Sequence, residues 1–356
     1  MKFFIIDTYY KNFLNDFYAK NPEIKNTSYT RQKELLLAEQ FGTADFYSKN
    51  LRKIGHQAED FIINNEILQS QWAKENNIKI RNYFKGNWIT KILESQILKF
   101  KPDIIYVQNL GILKPAFLEK IKKYIKLLVG QIACPLPPNN YLKPYHLIIS
   151  SFPHYVKRFR NEGIKSEYLK IGFEKTILDK LKETNKKYNA VFIGGISRHH
   201  KKIIETFEYL VKNNIPIDFW GYGFKDRFLS PSMKNKYHGE SWALNMYNIL
   251  YNAKISINRH IDVAENYANN MRLYESTGVG TMLITDYKDN LNELFELGRE
   301  IETYKSKEEL LGKINYYLNH EEERKKIAKA GQKRTLRDHN YFSRMQKLTE
   351  IINQYL

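Results

Sequence analysis

The chain has 356 residues, 42% of them hydrophobic, which is enough for two domains of ordinary size and argues against disorder. Its single cysteine, Cys134, excludes an intrachain disulfide and a cysteine zinc site, and no apolar run approaches the length of a membrane-spanning helix. The net charge of +18 is uneven: residues 1–170 hold 27 Lys/Arg against 15 Asp/Glu. Such a basic half suits nucleic acid, an anionic membrane surface or a phosphorylated substrate, or is simply a solvated lysine-rich face. The lysines are scattered, with compact clusters only at Lys120-Lys122-Lys123-Lys126 and Lys157-Arg158-Arg160.

In chain order, residues 2–6 read as a first β-strand rather than a secretory leader, because the apolar run ends after four residues at Asp7. A cytoplasmic protein is expected. Asn12 to Tyr18 and Thr30 to Gln40 have helical spacing, a third helix carries Leu51, and Ala58 to Ile63 reads as a strand. Tyr9, Tyr10, Asp45 and Tyr47 fit either an acceptor pocket or a wall of core aromatics. Ile89 to Phe100 is an amphipathic helix. Short buried strands follow at Ile104–Val107, Leu127–Ala133 and Leu147–Ile149, with helices at Phe117–Ile125 and Tyr155–Asn161. His154 follows a strand and is either a cleft residue or a structural histidine. This alternation predicts a parallel, doubly wound sheet.

The polar stretch Glu183–Lys187 reads as a connection, after which the pattern restarts. The strand Ala190–Ile193 leads into Gly194-Gly195 and then a basic helix start with Arg198 and Lys201. Glycines let a backbone approach a pyrophosphate, and a helix N-terminus with cations neutralises it. The strand Ile215–Trp220 ends at Gly221-Tyr222-Gly223. Ala253–Ile257 delivers Asn258-Arg259-His260, and Asn270, Arg272 and Glu275 open a short helix that leads through Gly278 and Gly280 to Thr281–Ile284 and Asp286. Arg272 and Glu275 share one helix face. They fit a phosphate and a pair of vicinal hydroxyls respectively, or else form a plain surface ion pair. Ser306 with Glu309 starts a further helix in capping-box fashion, Glu321 to Gly331 forms another, and Phe342 to Tyr355 the last.

The run Asn269-Asn270-Met271-Arg272-Leu273-Tyr274-Glu275, its glycine turn and Leu283-Ile284-Thr285-Asp286 resemble the donor-site segment of group 1 glycosyltransferases of the GT-B fold, and among these the CgeB-like branch. The resemblance is strongest over about 190–345. It implies two Rossmann-like domains facing a cleft: an acceptor-binding domain at 1–172, a nucleotide-sugar-binding domain at 173–335, and a helix at 336–356 that crosses back. It places Glu275 on the donor ribose, Gly194, Gly195, Arg198 and Lys201 at the phosphates, Gly221, Tyr222 and Gly223 near the nucleobase, and Asn270 and Arg272 beside the donor. Many relatives carry a second glutamate where this chain has Tyr267; Glu265 lies two residues away. By analogy the reaction retains anomeric configuration, and strand-end position makes Asp7, His154 and His260 the catalytic candidates.

No Asp-x-Asp, P-loop, H-E-x-x-H or G-x-S-x-G pattern occurs, so no metal and no cofactor beyond the nucleotide-diphosphate sugar is expected. The acceptor is a glycan, lipid or protein of unidentified kind, with peripheral contact to an anionic membrane as a further expectation. Two rivals stand beside this reading. One is a nucleotide-sugar epimerase on the same fold. The other is a non-enzymatic binder of nucleic acid or anionic membrane, disfavoured for nucleic acid because the basic residues are not interleaved with an aromatic RNA motif.

Overall fold

The computed structural model describes residues 1–80, 88–182, 186–196, 201–223 and 229–356, with the side chains of Lys201 and Lys202 outside that description. The chain divides into two compact units, Met1–Lys170 with Tyr341–Leu356, and Ile171–Asn340. The first break falls two residues before the expected 172/173 boundary. The second falls five residues after the expected 335/336.

Unit 1 is built on β1 (Lys2–Asp7), β2 (Gln57–Ile62), β3 (Ile104–Val107), β4 (Leu127–Gln131), β5 (Leu147–Ser150) and β6 (Ser166–Tyr168), all parallel in the order β2-β1-β3-β4-β5-β6. Its helices are α1 (Lys11–Lys20), α2 (Tyr29–Ala38), α3 (Phe46–Lys53), α4 (Glu66–Glu75), α5 (Trp88–Phe100), α6 (Pro115–Ile121) and α7 (Pro153–Asn161). Phe3–Ile6, Ile104–Val107 and Leu147–Ile149 are almost fully buried, as expected of strands covered on both faces. The strand order reverses direction between β1 and β3, the place where open sheets bind ligands.

Unit 2 repeats the plan with β7 (Tyr188–Ile193), β8 (Ile217–Trp220), β9 (Ala253–Asn258), β10 (Met282–Asp286) and β11 (Glu302–Tyr304) in the order β11-β10-β9-β7-β8. Its helices are α8 (Lys201–Lys212), α9 (Pro231–Lys234), α10 (Ala243–Tyr251), α11 (Met271–Gly278), α12 (Lys307–Asn319) and α13 (Glu321–Asp338). Here the switch point lies between β7 and β9.

α13 corrects one expectation: it does not stop at Gly331. A Cβ at that position would lie 2.3 Å from the Glu300 carbonyl oxygen, so the glycine marks a close helix–loop approach rather than a C-cap. The last helix, α14 (Tyr341–Asn353), belongs to unit 1. Its Tyr341 ring packs 5.2 Å from Phe46 and 5.5 Å from Tyr47, and Tyr355 beyond it donates to Glu167 Oε1 at 2.7 Å.

Candidate functional site

At the carboxyl edge of the unit 2 sheet, two glycine turns are zipped together. Gly194 N–H donates to the Trp220 carbonyl at 3.0 Å and Ile196 N–H to the Tyr222 carbonyl at 2.8 Å. Gly221 (φ 130°) and Gly223 (φ 89°) hold left-handed backbone, and a Cβ on either would fall within 2 Å of the Gly194 or Ile196 carbonyl oxygen. The Gly-x-Gly spacing is therefore demanded by backbone packing. Tyr222 between them is 45% exposed and stacks on Trp242 with centroids 6.2 Å apart. Arg198 lies outside the described residues, as does the side chain of Lys201; the backbone of Lys201 opens α8.

Asn270 occupies the N-cap position of α11 without capping it. Its amide instead forms a reciprocal pair with Asn258 at the end of β9, at 2.9 and 3.3 Å, and Asn258 also donates to Thr285 Oγ1. Asn270 thus leaves the first turn of α11 without its N-cap acceptor among the described residues, the condition under which a helix N-terminus receives an anion. Arg272 Nη1 meets Glu275 Oε2 at 2.9 Å and approaches the Met246 sulfur at 3.2 Å. This i,i+3 pair is buried, not the surface pair that spacing alone suggests: the two side chains are 14% and 8% exposed. The Arg272 Nε is buried and unpartnered. Tyr247 donates to Glu275 Oε1 at 3.4 Å; burial, then the Glu275 charge, hold its hydroxyl well above the usual tyrosine range, so it stays a donor. Burial all round α11 explains the rest of its sequence. Ser276 bonds Ser256 at 2.8 Å and Thr277 bonds Thr335 at 2.6 Å, so small polar residues join it to sheet and helix.

His260 is 3% exposed. Its backbone N–H and ring Nδ1 both donate to Asp286 Oδ1, at 3.0 and 2.7 Å. Burial pushes the Asp286 carboxyl up, but the His260 hydrogen bonds and the charges of His260 and Lys288 outweigh it and hold it below its ordinary value. An ionised carboxylate on Nδ1 fixes the ring tautomer and leaves Nε2, which is buried and unpartnered, to meet whatever approaches. Sequence reasoning missed Asp286 as the partner, because 26 residues separate the two and only the β9–β10 pairing brings them together. Glu265 is exposed with φ 50°, closing a 3-10 turn, and stands apart from the buried Arg272–Glu275 pair in character.

In unit 1, Asp7 ends β1 and accepts from the Thr8 N–H at 2.7 Å. Thr43 Oγ1 lies 3.3 Å from Asp7 Oδ2 and 2.9 Å from Gln108 Oε1. Burial pushes the Asp7 carboxyl up to about 6 against the pull of the Thr8 N–H and the Thr43 hydroxyl. Tyr47 and Tyr106 both donate to Gln131 Oε1, at 2.9 and 2.6 Å. Of the four residues expected at a pocket wall, Tyr9 and Tyr47 are buried and Tyr10 is exposed, with Asp45 between these extremes. His154 follows β5, as expected. It sits in the first turn of α7, packed against Phe152 at 5.3 Å and Tyr155 at 4.8 Å. Among the described residues no three metal-ligating side chains converge, and no helix is long and apolar enough to cross a membrane.

The family model described as Glycosyl transferase-like matches residues 198–350. No curated protein matches the chain. Among solved structures, it is similar to a glycosyltransferase from Rickettsia africae ESF-5 at 15% identity and TM-score 0.60, covering 99% of this chain and 98% of that one. It is similar also to HepE of Anabaena, solved with UDP-glucose, at 12% identity and TM-score 0.65 over 99% and 100% of the two chains. A putative UDP-N-acetylglucosamine 2-epimerase from Listeria monocytogenes follows at 12% identity and TM-score 0.55 over 99% and 96%. The chain therefore has the fold of the GT-B glycosyltransferases, two parallel-sheet Rossmann-like units, and over residues 198–350 it carries the pattern of the Glycosyl transferase-like family.

Proposed function

We propose that this protein is a glycosyltransferase that moves a sugar from a nucleotide-diphosphate sugar to an acceptor hydroxyl, with unit 2 holding the donor and unit 1 the acceptor. The observation that carries this reading is the uncapped N-terminus of α11 beside the buried Arg272–Glu275 pair, at the carboxyl edge of a switch-point sheet. A diphosphate at that edge meets helix N–H groups and the Arg272 guanidinium, whose buried Nε has an unmet hydrogen bond. Glu275 then accepts from the two ribose hydroxyls, with Asn270 beside it. Gly194 and Gly195 with Arg198 and Lys201 serve the phosphates, and the exposed Tyr222 ring within its glycine turn serves the nucleobase. HepE, whose structure contains UDP-glucose, supports a uridine donor. The run Asn270–Glu275 supports the CgeB-like branch.

Departure of the nucleoside diphosphate is the step that needs charge stabilisation, and helix dipole and cations supply it without a metal. Retention of configuration belongs to the proposal by analogy with group 1 enzymes. His260, oriented by Asp286, and Asp7 are the groups proposed to exchange protons with the reacting sugars, with His154 a weaker third given its packing in α7.

Isothermal titration with UDP and UDP-glucose tests the donor half. Micromolar binding to wild type, weakened at least tenfold in Glu275→Gln and Arg272→Gln, is expected. Folded wild-type protein that binds neither ligand nor any other nucleoside diphosphate would remove the donor site. The Listeria neighbour keeps an epimerase as a second reading. Its signature is configurational change of a UDP-sugar with no acceptor present, followed by proton NMR.

A further inference from the structure

A cavity of about 590 Å³ opens at the amino edge of the unit 1 sheet, against the starts of β4, β5 and β6. That volume suits a small molecule. Leu127 begins β4 and Gln131 ends it, so at about 3.3 Å per residue the opposite edge lies roughly 13 Å away along the strand. Leu127, Leu142 and the ring of Tyr355, beyond α14, give the cavity apolar walls. Lys126, Lys143, Lys165 and His146 supply its charges and hydrogen-bonding groups, and no carboxylate among the described residues lines it.

The carboxylates around this edge are already engaged. Asp103 meets Lys126 at 2.9 Å and accepts from the Lys2 N–H at 2.8 Å. Glu119 meets Lys122 at 2.9 Å, and Glu162 meets Arg158 at 2.9 Å. Glu167 meets Arg160 at 2.8 Å and accepts from Tyr355 at 2.7 Å. Lys143 and Lys165 are therefore left with no carboxylate at ion-pair distance among the described residues, and the Lys165 Nζ lies over the Tyr355 ring, 5.7 Å from its centroid.

His146 adds a donor whose tautomer is fixed. The Leu128 backbone N–H donates to its Nδ1 at 2.9 Å, so Nδ1 is an acceptor and the ring hydrogen sits on Nε2. Burial, then the Lys122 charge, hold the imidazole below its ordinary value, with Lys165 adding to this against Glu119. The ring is thus a neutral Nε2–H donor, and that group has no acceptor among the described residues.

Two uncompensated cations match a phosphate monoester, which is close to a dianion at neutral pH, and two ammonium groups with one N–H match its three terminal oxygens. Apolar walls suit an organic body behind the phosphate. We propose that the amino edge of the unit 1 sheet binds a phosphate monoester, with Lys143, Lys165 and His146 on the phosphate and Leu127, Leu142 and Tyr355 against its organic part. Such a ligand ties the starts of β4, β5 and β6 to the segment that follows α14. This site is separate from the proposed donor and acceptor sites and does not rest on the transferase reading.

The test is isothermal titration of full-length protein with phenyl phosphate, inorganic phosphate and benzoate at constant ionic strength, with UDP in excess to occupy any donor site. Phenyl phosphate is expected to bind about fivefold more tightly than the other two. That affinity should fall about tenfold in Lys143→Gln/Lys165→Gln and about threefold in His146→Asn, whose amide oxygen can still accept from the Leu128 N–H. Lys20→Gln/Lys120→Gln, which removes the same charge from exposed helix positions, should leave it unchanged. Circular dichroism melts verify that each variant is folded. Equal weakening in the two double variants, loss of phenyl phosphate binding on addition of UDP, or no binding of phenyl phosphate to folded wild type overturns the proposal. Flotation with phosphatidic acid vesicles separates the sources of the ester. Retention that is lost in Lys143→Gln/Lys165→Gln supports the site with a lipid headgroup as its ligand, and phenyl phosphate binding without retention supports it with a soluble one.

Discussion

Asp7 and Asp286 end strands at the carboxyl edges of their respective sheets, yet their environments push them in opposite directions. Asp7 is raised because burial dominates and its partners, the Thr8 N–H and the Thr43 hydroxyl, are neutral. Asp286 is largely buried too but has His260 and Lys288 for company, and ends below its ordinary value. The lesson is that strand-end position creates a buried carboxyl, while the loop chemistry facing it decides whether that carboxyl acts as a charge or as a proton store. Unit 2 surrounds its edge with basic partners and so is built around ionised groups. Unit 1 surrounds its edge with amides and hydroxyls.

The largest expected effect tests the ionic side. Glu275→Ala leaves Arg272 buried without its counter-charge and costs about 3–5 kcal/mol in urea unfolding, whereas Glu275→Gln keeps the volume and the Tyr247 hydrogen bond and costs less. Equal, small losses for both would mean the pair is solvated and the contrast with unit 1 is false. Asp286→Asn comes next, removing charge-assisted bonds to the His260 N–H and ring, at about 2 kcal/mol near pH 7. Because the folded Asp286 is held below its ordinary value, its stabilisation is present above about pH 4 and lost as pH falls through the folded value. The deficit of the variant should therefore close in acid.

Asp7→Asn sharpens the comparison with the opposite sign. A raised carboxyl contributes stability that is full below the unfolded value near pH 4 and lost as pH rises through about 6. The variant, which cannot ionise, should gain melting temperature relative to wild type between pH 4 and 7; a constant difference across that range would show that Asp7 titrates as an ordinary surface carboxyl. The smallest effect is a control outside both edges. Ser306 caps α12 by accepting from the Glu309 N–H at 3.1 Å, and Ser306→Ala should cost about 1 kcal/mol in thermal or urea unfolding near pH 7.

Much of this architecture is legible in the amino-acid sequence, for a physical reason. Doubly covered strands such as Ile104–Val107 must be short apolar runs, and turn residues must bound them. What was illegible lacked that signature. β6 has only three residues, and α4 carries a low-contrast mixture of apolar and polar residues. Gly331 reads as a stop although its glycine answers a neighbour, Glu300, that no local pattern reveals. The site divides in the same way. Arg272 beside Glu275 follows from helical spacing, but their burial depends on Tyr247 and the helices packed around α11. The partnership of Thr43 with Asp7 and Gln108 spans 36 and 65 residues, and only the sheet order brings those residues together.

The assignment of α14 to unit 1 has a consequence for how the protein is made. Residues 1–170 cannot finish packing until residues 341–356 arrive, because Tyr341, Met345, Leu348, Ile351 and Ile352 are buried in the finished fold. At about 5–20 residues per second the ribosome needs roughly 10–30 s to synthesise the intervening unit. During that interval unit 1 waits with an apolar seam open along α3, while unit 2, continuous in sequence, is free to close first. The half of the chain that is translated first is therefore the half whose packing is completed last.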